Sequence, residues 1–349
     1  MPKNEREVKI GGVTIGGSHP VAIQSMLSCV VEDTEANLAQ ALALQEAGCE
    51  IVRVTVPDPT GVRLLALLKE QLSIPVVADI HYDYKMALES VAAGADKIRI
   101  NPGNLSSPEQ IRLVANACAN AGIPIRVGAN SGSVPEEILQ RCGGQVTAQA
   151  LAESALNQVH ILEQYDFHNI VVSIKASHVP TMVEACRLFA AQSDLPQHIG
   201  VTEAGTLRMG LVKSAVGIGS LLLDGIGSTL RVSLTADPVE EIKAAKDILL
   251  ACGLRRDRVE VISCPTCGRC KVDVLTLGDK VEAMVADIHK PLTVAVMGCA
   301  VNGVGEGKLA DIGIAGGDGE YLLFKKGVAI RKYPMEGILE VLRKEIEEM

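Results

Sequence analysis

Eight short β-branched runs that alternate with helix-forming segments constrain this chain more than any other feature of its sequence. The runs cover residues 21–26, 51–56, 75–80, 97–101, 124–130, 170–176, 198–204 and 229–234. Between and after them lie helical patterns at 35–47, 61–71, 85–93, 108–121, 147–164, 180–191, 211–223 and 238–252. Strand–helix alternation at this spacing predicts parallel βαβ units, and eight of them within about 250 residues predict a closed (β/α)8 TIM barrel. The opening Val8-Lys-Ile-Gly-Gly-Val-Thr-Ile-Gly reads as a hairpin that closes the barrel floor. With 349 residues the chain is longer than one typical domain. The pattern divides it into a barrel over 1–254 and a smaller α+β domain over 255–349.

Parity within these runs carries the chemistry. Successive side chains of a strand face opposite sides, and the outer side of a barrel strand must be apolar to receive helices. Arg53 stands between Val52 and Val54, Arg99 between Ile98 and Ile100, and Arg126 between Ile125 and Val127. Lys175 likewise stands between Ile174 and Ala176, and Arg231 between Leu230 and Val232. All five cations are therefore expected to point into the barrel. Gln24, Asn101, Asn130, Ser173, Ser177 and Ser233 share that polar parity in strands or at their ends, and Glu203 belongs to the seventh run. Glu50, Asp79 and Glu203 are the nearby carboxylates, and three cannot neutralise five. Unpaired buried cations are costly, so the lumen is expected to take an anion. The arginine fork at the C-terminal mouth of a barrel suits phosphate oxygens, which makes a phosphate or diphosphate ester the expected ligand class. Internal pairing without a ligand is the plainer alternative.

Composition removes several other function classes. A net charge of −9 argues against a nucleic-acid footprint. Aromatic residues make up 2% of the chain and Trp is missing, so stacking platforms for bases or sugars are poorly supplied. No apolar run approaches the ~20 residues that span a bilayer. The start Met-Pro-Lys-Asn-Glu-Arg-Glu lacks the apolar stretch of a leader. Cys29, Cys49, Cys118, Cys142, Cys186 and Cys252 are scattered singly, and a reducing cytoplasm is the expected setting.

Weaker signals have plain readings. Gly217-Ile-Gly219 and Gly225-Ile-Gly227 lack the context of a phosphate loop and are explained as well by close packing or a turn. Asp79-Ile-His81-Tyr-Asp83-Tyr-Lys85 could hold an acid–base group or simply cap the next helix. The remaining histidines form no metal-binding spacing.

Beyond residue 254 the pattern changes to strands at 259–263, 292–297, 311–315 and 321–325, with helices near 277–287 and 335–348. This unit carries Cys264-Pro-Thr-Cys267-Gly-Arg-Cys270 and, later, Cys299 in Met-Gly-Cys-Ala-Val-Asn-Gly-Val-Gly-Glu306. On spacing alone these thiols suit either a structural zinc or an iron–sulfur cluster. The glycine-rich segment after Cys299 reads as a loop able to wrap round a large cluster.

Together, Gln24-Ser-Met, Ile51-Val-Arg-Val, Ala78-Asp-Ile-His, Lys97-Ile-Arg-Ile-Asn-Pro-Gly-Asn, Ile125-Arg-Val-Gly-Ala-Asn-Ser-Gly, Ser173-Ile-Lys-Ala-Ser, Thr202-Glu-Ala-Gly and the two cysteine motifs closely resemble the 4-hydroxy-3-methylbut-2-en-1-yl diphosphate synthase family in its short bacterial form. The resemblance spans essentially the whole chain and implies a reductive ring opening in the non-mevalonate isoprenoid pathway. In it 2-C-methyl-D-erythritol 2,4-cyclodiphosphate gains two electrons and loses water. It implies a [4Fe-4S] cluster on Cys264, Cys267, Cys299 and Glu306, with Cys270 a competing thiol for the fourth position. It also implies substrate binding by Arg53, Arg99, Arg126, Asn130, Lys175, Arg231 and Ser233. Glu203 becomes the active-site carboxylate, either a proton carrier or an electrostatic partner of the arginines. Reduced flavodoxin or ferredoxin is the implied donor, and a head-to-tail homodimer the implied assembly. A barrel enzyme of another phosphorylated substrate with a zinc-stabilised appendage is the alternative.

Overall fold

The computed structural model describes residues 5–105 and 107–349; residues 1–4, which open the segment read as lacking a leader, and Ser106 lie outside the described residues. Contacts divide the chain into two compact units, Met1–Leu254 and Arg255–Met349.

In the first unit a hairpin, β1 (Val8–Ile10) and β2 (Val13–Ile15), precedes eight parallel strands. These are β3 (Ala22–Met26), β4 (Ile51–Thr55), β5 (Val76–Asp79), β6 (Lys97–Arg99), β7 (Ile125–Asn130), β8 (Ile170–Lys175), β9 (His198–Ile199) and β10 (Thr229–Leu230). They form one sheet in the order β8-β7-β6-β5-β4-β3-β10-β9. A parallel bridge from Val172 to Gln197 joins its two ends and closes the barrel. Each expected run holds a strand. The last two are shorter than their β-branched runs; just beyond β9, Gly200 approaches the Arg231 backbone so closely that a Cβ would lie 2.4 Å from its oxygen.

The outer parity is apolar as required: Val52, Val54, Ile98, Ile100, Val127, Ile174, Leu230 and Val232 join one core with the surrounding helices. Those helices begin where the sequence provides caps. Asp58 accepts from Thr60 N ahead of α2 (Pro59–Gln71), counted after α1 (Thr34–Glu46), and Asp83 accepts from Lys85 N ahead of α3 (Tyr84–Ala92). They continue as α4 (Pro108–Ala121), a short α5 (Glu136–Arg141) that the sequence pattern did not separate, α6 (Ala148–Glu163), α7 (Val179–Ala190), α8 (Leu207–Leu223) and α9 (Pro238–Ala251). The hairpin closes the floor: Val8, Ile10 and Ile15 pack against Ala22, Ile51, Val77 and Val171, the lowest inward residues of four strands. The polar part of the lumen therefore faces the C-terminal mouth.

The second unit is a five-stranded mixed sheet in the order β11 (Glu260–Ser263), β12 (Thr293–Met297), β13 (Ile312–Gly316), β14 (Glu320–Lys325), β15 (Val328–Pro334). Helices α10 (Val274–Val285) and α12 (Ile338–Glu347) cover one face through Val274, Leu277, Val281, Val285, Ile338, Leu342 and Ile346. The other face packs Ala295, Met297, Ala315 and Phe324 against Ala300 and Val304 of α11 (Ala300–Glu306). Two elements differ from expectation. The segment after Cys299 is the helix α11 and not a loop. A fifth strand, β15, follows a turn in which Lys326 and Gly327 both have positive φ, at 48° and 74°.

Candidate functional site

The barrel lumen gathers all five expected cations and adds one. Register sets Arg99 beside Asp79 and Arg126 beside Arg99. Arg99 Nη1 donates to Asp79 Oδ1 at 3.1 Å, and Arg53 Nε lies 3.5 Å from Asp79 Oδ2. Burial raises the Asp79 pKa, but Arg53, Arg99 and Arg126 outweigh it and hold the carboxyl below its usual range. Arg231 pairs with Glu241 at 3.3 Å, and the same carboxylate accepts from Ser25 Oγ and Leu234 N.

Glu241 corrects the sequence reading of the lumen carboxylates. Of the three named there, Asp79 pairs with the lumen cations Arg53 and Arg99; Glu50 accepts from the Ile23 backbone at 2.8 Å, and Glu203 is exposed. Glu241 comes instead from α9, where it is buried in the stripe that includes Pro238, Ile242, Ala245 and Ile248. A glutamate inside an apolar helical stripe is the signal that finds it. The added cation is Lys97, fully buried, whose parity with Arg99 is equally visible in the sequence.

Among the described residues six basic side chains thus line the lumen, and Asp79 and Glu241 pair with three of them, Arg53, Arg99 and Arg231. Arg126 is 1% exposed, and its Nε and Nη1 have no hydrogen-bond partner among the described residues. Burial pushes the Arg126, Lys97 and Lys175 pKa values well down, and neighbouring cations add to the effect. His198 is buried, with Nδ1 2.8 Å from Thr229 Oγ1, and burial keeps it neutral. Internal pairing therefore does not satisfy the lumen, and an anion would.

At the mouth, Asn130 and Ser233 are half-buried at strand ends. Asn130 N donates to Ser133 Oγ at 3.0 Å, which fixes the turn after β7. Asn101, grouped with the lumen polar residues by parity, instead caps the turn after β6, accepting from Gly103 N at 3.1 Å. Glu203 forms no ion pair among the described residues, and its φ of +52° is a left-handed conformation that a glutamate adopts at a cost of about 1–3 kcal/mol. The Asp79–Lys85 motif divides: Asp83 caps α3, while Asp79 is the hub of the lumen ion pairs. Gly217 and Gly227 serve packing and a turn, the plain reading, since Cβ atoms there would press on Val201 and Ile199.

In the second unit, parallel neighbours bring distant thiols together. β11 pairs with β12 through Ser263 and Val296, so Cys264 and Cys299, which follow these strands, emerge at the same sheet edge. Cys264, Cys267, Cys270, Cys299 and Glu306 line one cavity of about 270 Å³ with Pro265, Arg269 and Gly303. Gly298 N donates to Cys264 Sγ at 3.1 Å. The Arg269 N–H bonds the exposed Cys267 thiol and holds its pKa below the usual value. No three His, Cys, Asp or Glu among the described residues converge tightly enough for one ion. The shared cavity wall is the relevant geometry, because a cluster of several irons holds its ligands around a volume. Ten free cysteines and no disulfide are present.

The chain is similar to known proteins over its full length. A family model described as the GcpE TIM-barrel domain matches residues 5–246, and one described as the GcpE protein C-terminal domain matches 260–348. A 4-hydroxy-3-methylbut-2-en-1-yl diphosphate synthase (flavodoxin) from Caldanaerobacter subterraneus subsp. tengcongensis is 52% identical over 100% of this chain and 98% of its own. One of the same name from Bacillus pumilus is 51% identical over 99% of this chain and 93% of its own. Among solved structures, a 7,8-dihydropteroate synthase from Vibrio fischeri covers 71% of this chain and 98% of its own with a TM-score of 0.51; at 12% identity it shares the fold alone.

Proposed function

This chain belongs to the GcpE family, and from that premise we propose that it is a 4-hydroxy-3-methylbut-2-en-1-yl diphosphate synthase. It takes 2-C-methyl-D-erythritol 2,4-cyclodiphosphate, two electrons and two protons to 4-hydroxy-3-methylbut-2-enyl diphosphate and water. The single observation that carries the substrate class is the lumen, where among the described residues Asp79 and Glu241 pair with Arg53, Arg99 and Arg231 while the buried Arg126 keeps two nitrogens without a partner. A cyclic diphosphate supplies the missing negative charge. Arg53, Arg99, Arg126, Lys175 and Arg231 bind the diphosphate, while Asn130 and Ser233 orient it at the strand ends. Glu203, held at the mouth in a strained backbone, holds the substrate hydroxyls or moves a proton at the reacting carbons.

The thiol cavity holds a [4Fe-4S] cluster through Cys264, Cys267, Cys299 and Glu306, and its donor set fits that group. When bound, such a cluster supplies electrons one at a time and one exchangeable coordination position. Carboxylate is the weaker iron ligand of the set, which favours Glu306 as the residue that yields that position. Cys270 shares the cavity and also lies against Gly298, where a Cβ would be 2.5 Å from its Sγ. Cluster absorbance retained in Cys270→Ser and lost in Glu306→Ala supports this set; the reverse overturns it.

Reduced flavodoxin, printed in the relatives' names, is the proposed donor, with ferredoxin as the other candidate. The described residues contain no helix long and apolar enough to cross a membrane, and the free thiols suit a reducing cytoplasm. The assembly is a head-to-tail homodimer in which each barrel works with its partner's cluster-holding unit. The role of Glu203 is tested by Glu203→Gln: turnover lost with substrate affinity retained supports proton handling, and near-full turnover discards it.

A further inference from the structure

Lys97 lies two residues before Arg99 in β6 and faces the lumen, with outward Ile98 between them. Full burial is rare for an amine, because a desolvated ammonium costs several kcal/mol unless a carboxylate faces it. From β3, Gln24 Oε1 accepts from Lys97 Nζ at 3.3 Å, while the other amide atom of Gln24, Nε2, has no partner among the described residues. From β4 and β7 come Arg53 and Arg126, both cations. From β9 comes the neutral imidazole of His198. On β5 the residue in register is Val77, and Asp79 beyond it is engaged by Arg53 and Arg99. Lys175 on β8, Arg231 just after β10 and Glu241 on α9 also charge the lumen, Glu241 being held by Arg231, Ser25 and Leu234. Among the described residues, no carboxylate pairs with Lys97.

A crowd of cations in a buried lumen can relieve itself in two ways, by drawing in an anion or by shedding protons. Arginine does not shed its proton; a buried lysine does. We propose that Lys97 is a charge-regulating residue of the barrel site, neutral in the ligand-free protein and protonated when a diphosphate enters, so that binding takes up a proton from solvent. The inference rests on the reading of the lumen as a diphosphate site. Lys97 acts as a positioning residue beneath the residues that meet the ligand: its charge adds to the field on the anion only when the anion is present. Burial first, then Arg126 and Arg53, push its amine well below the usual 10.5. Stability in the free barrel and attraction for the bound ligand are thereby met by one side chain in two protonation states.

Isothermal titration calorimetry of the anaerobic holoenzyme with 2-C-methyl-D-erythritol 2,4-cyclodiphosphate, at one pH in buffers of different ionisation heat, counts the protons exchanged. Both acids of the cyclic diphosphate stay ionised through the neutral range, so the exchanged protons belong to the protein. The wild type is expected to take up about one proton, with Kd rising up to about tenfold per pH unit. Lys97→Met and Lys97→Gln are each expected to lose at least half of that uptake and to flatten the pH profile. A purely structural Lys97 would change affinity or folding and leave the proton count as it was. Heat that does not depend on buffer in the wild type, or unchanged uptake in either folded variant, overturns the inference. No binding of the cyclodiphosphate at all would instead bring down the diphosphate reading beneath it.

Discussion

Arg126 enters the lumen with two nitrogens that find no partner among the described residues, beside other cations and with Asp79 already engaged. In the absence of ligand that arrangement is a cost to the fold. Arg126→Met is therefore expected to leave stability unchanged or to raise it by about 1–3 kcal/mol, read as the urea midpoint. The same change should weaken cyclodiphosphate binding by roughly 30-fold or more, the loss that follows from truncating one partner of a buried charge pair. A less stable variant with wild-type affinity would mean that Arg126 is only a packing residue. Asp79 behaves oppositely, since Asp79→Asn leaves Arg53 and Arg99 facing a neutral amide and should cost about 3–5 kcal/mol. Its folded pKa lies below the ordinary 3.8, so its contribution is complete above that value and is lost as pH falls through the folded one. The wild-type midpoint should accordingly fall more steeply than that of Asp79→Asn as pH drops below the ordinary 3.8. The inward cations were legible because each is flanked by outward apolar residues. Glu241 was hidden because it reaches the lumen from a helix, where strand parity says nothing.

At the scale of elements, the barrel strands were readable because their runs are β-branched and bounded by caps such as Asp58 and Asp83. Helix α11 was not, and its glycines explain why. Each glycine disfavours a helix by about 1 kcal/mol relative to alanine, so the segment reads as a loop. Packing against the sheet reverses that preference: a Cβ on Gly303 would lie 2.7 Å from Met297 Cβ, and one on Gly307 2.6 Å from Phe324 Cζ. Only a helix bare on that side can lie so close, with Cys299 and Glu306 at its two ends. Gly303→Ala and Gly307→Ala should each destabilise the protein by about 1–3 kcal/mol and reduce cluster absorbance. At Gly305 a Cβ meets open space, so Gly305→Ala should keep both or gain up to about 1 kcal/mol. Equal losses at all three positions would contradict this account of the helix. Strand β15 escaped the sequence reading for a different reason: it is almost wholly exposed, and its turn uses Lys326-Gly327 where Asn-Gly would have announced a hairpin.

At the scale of the whole molecule, the lumen and the thiol cavity belong to different units of the chain, and the proposed reaction needs both. A head-to-tail homodimer makes a sharp demand on mixtures. A barrel-dead Arg53→Ala chain and a cluster-dead Cys299→Ser chain, inactive alone, should regain activity when coexpressed, because one of the two sites in each mixed dimer is intact. Sites built within single chains would give no recovery. The alternation of strands and helices, the gathering of the five cations in the lumen and the meeting of the thiols were legible from periodicity and cysteine spacing. Whether the thiols face zinc or a cluster was not, because both metals accept the same ligands. The most direct measurement supplies the anaerobically purified protein with 2-C-methyl-D-erythritol 2,4-cyclodiphosphate and reduced flavodoxin and follows electrons and product together. One 4-hydroxy-3-methylbut-2-enyl diphosphate for every two electrons, from a brown protein and not from Cys299→Ser, is the expected result. A colourless, zinc-loaded protein that leaves the cyclodiphosphate unchanged would contradict it.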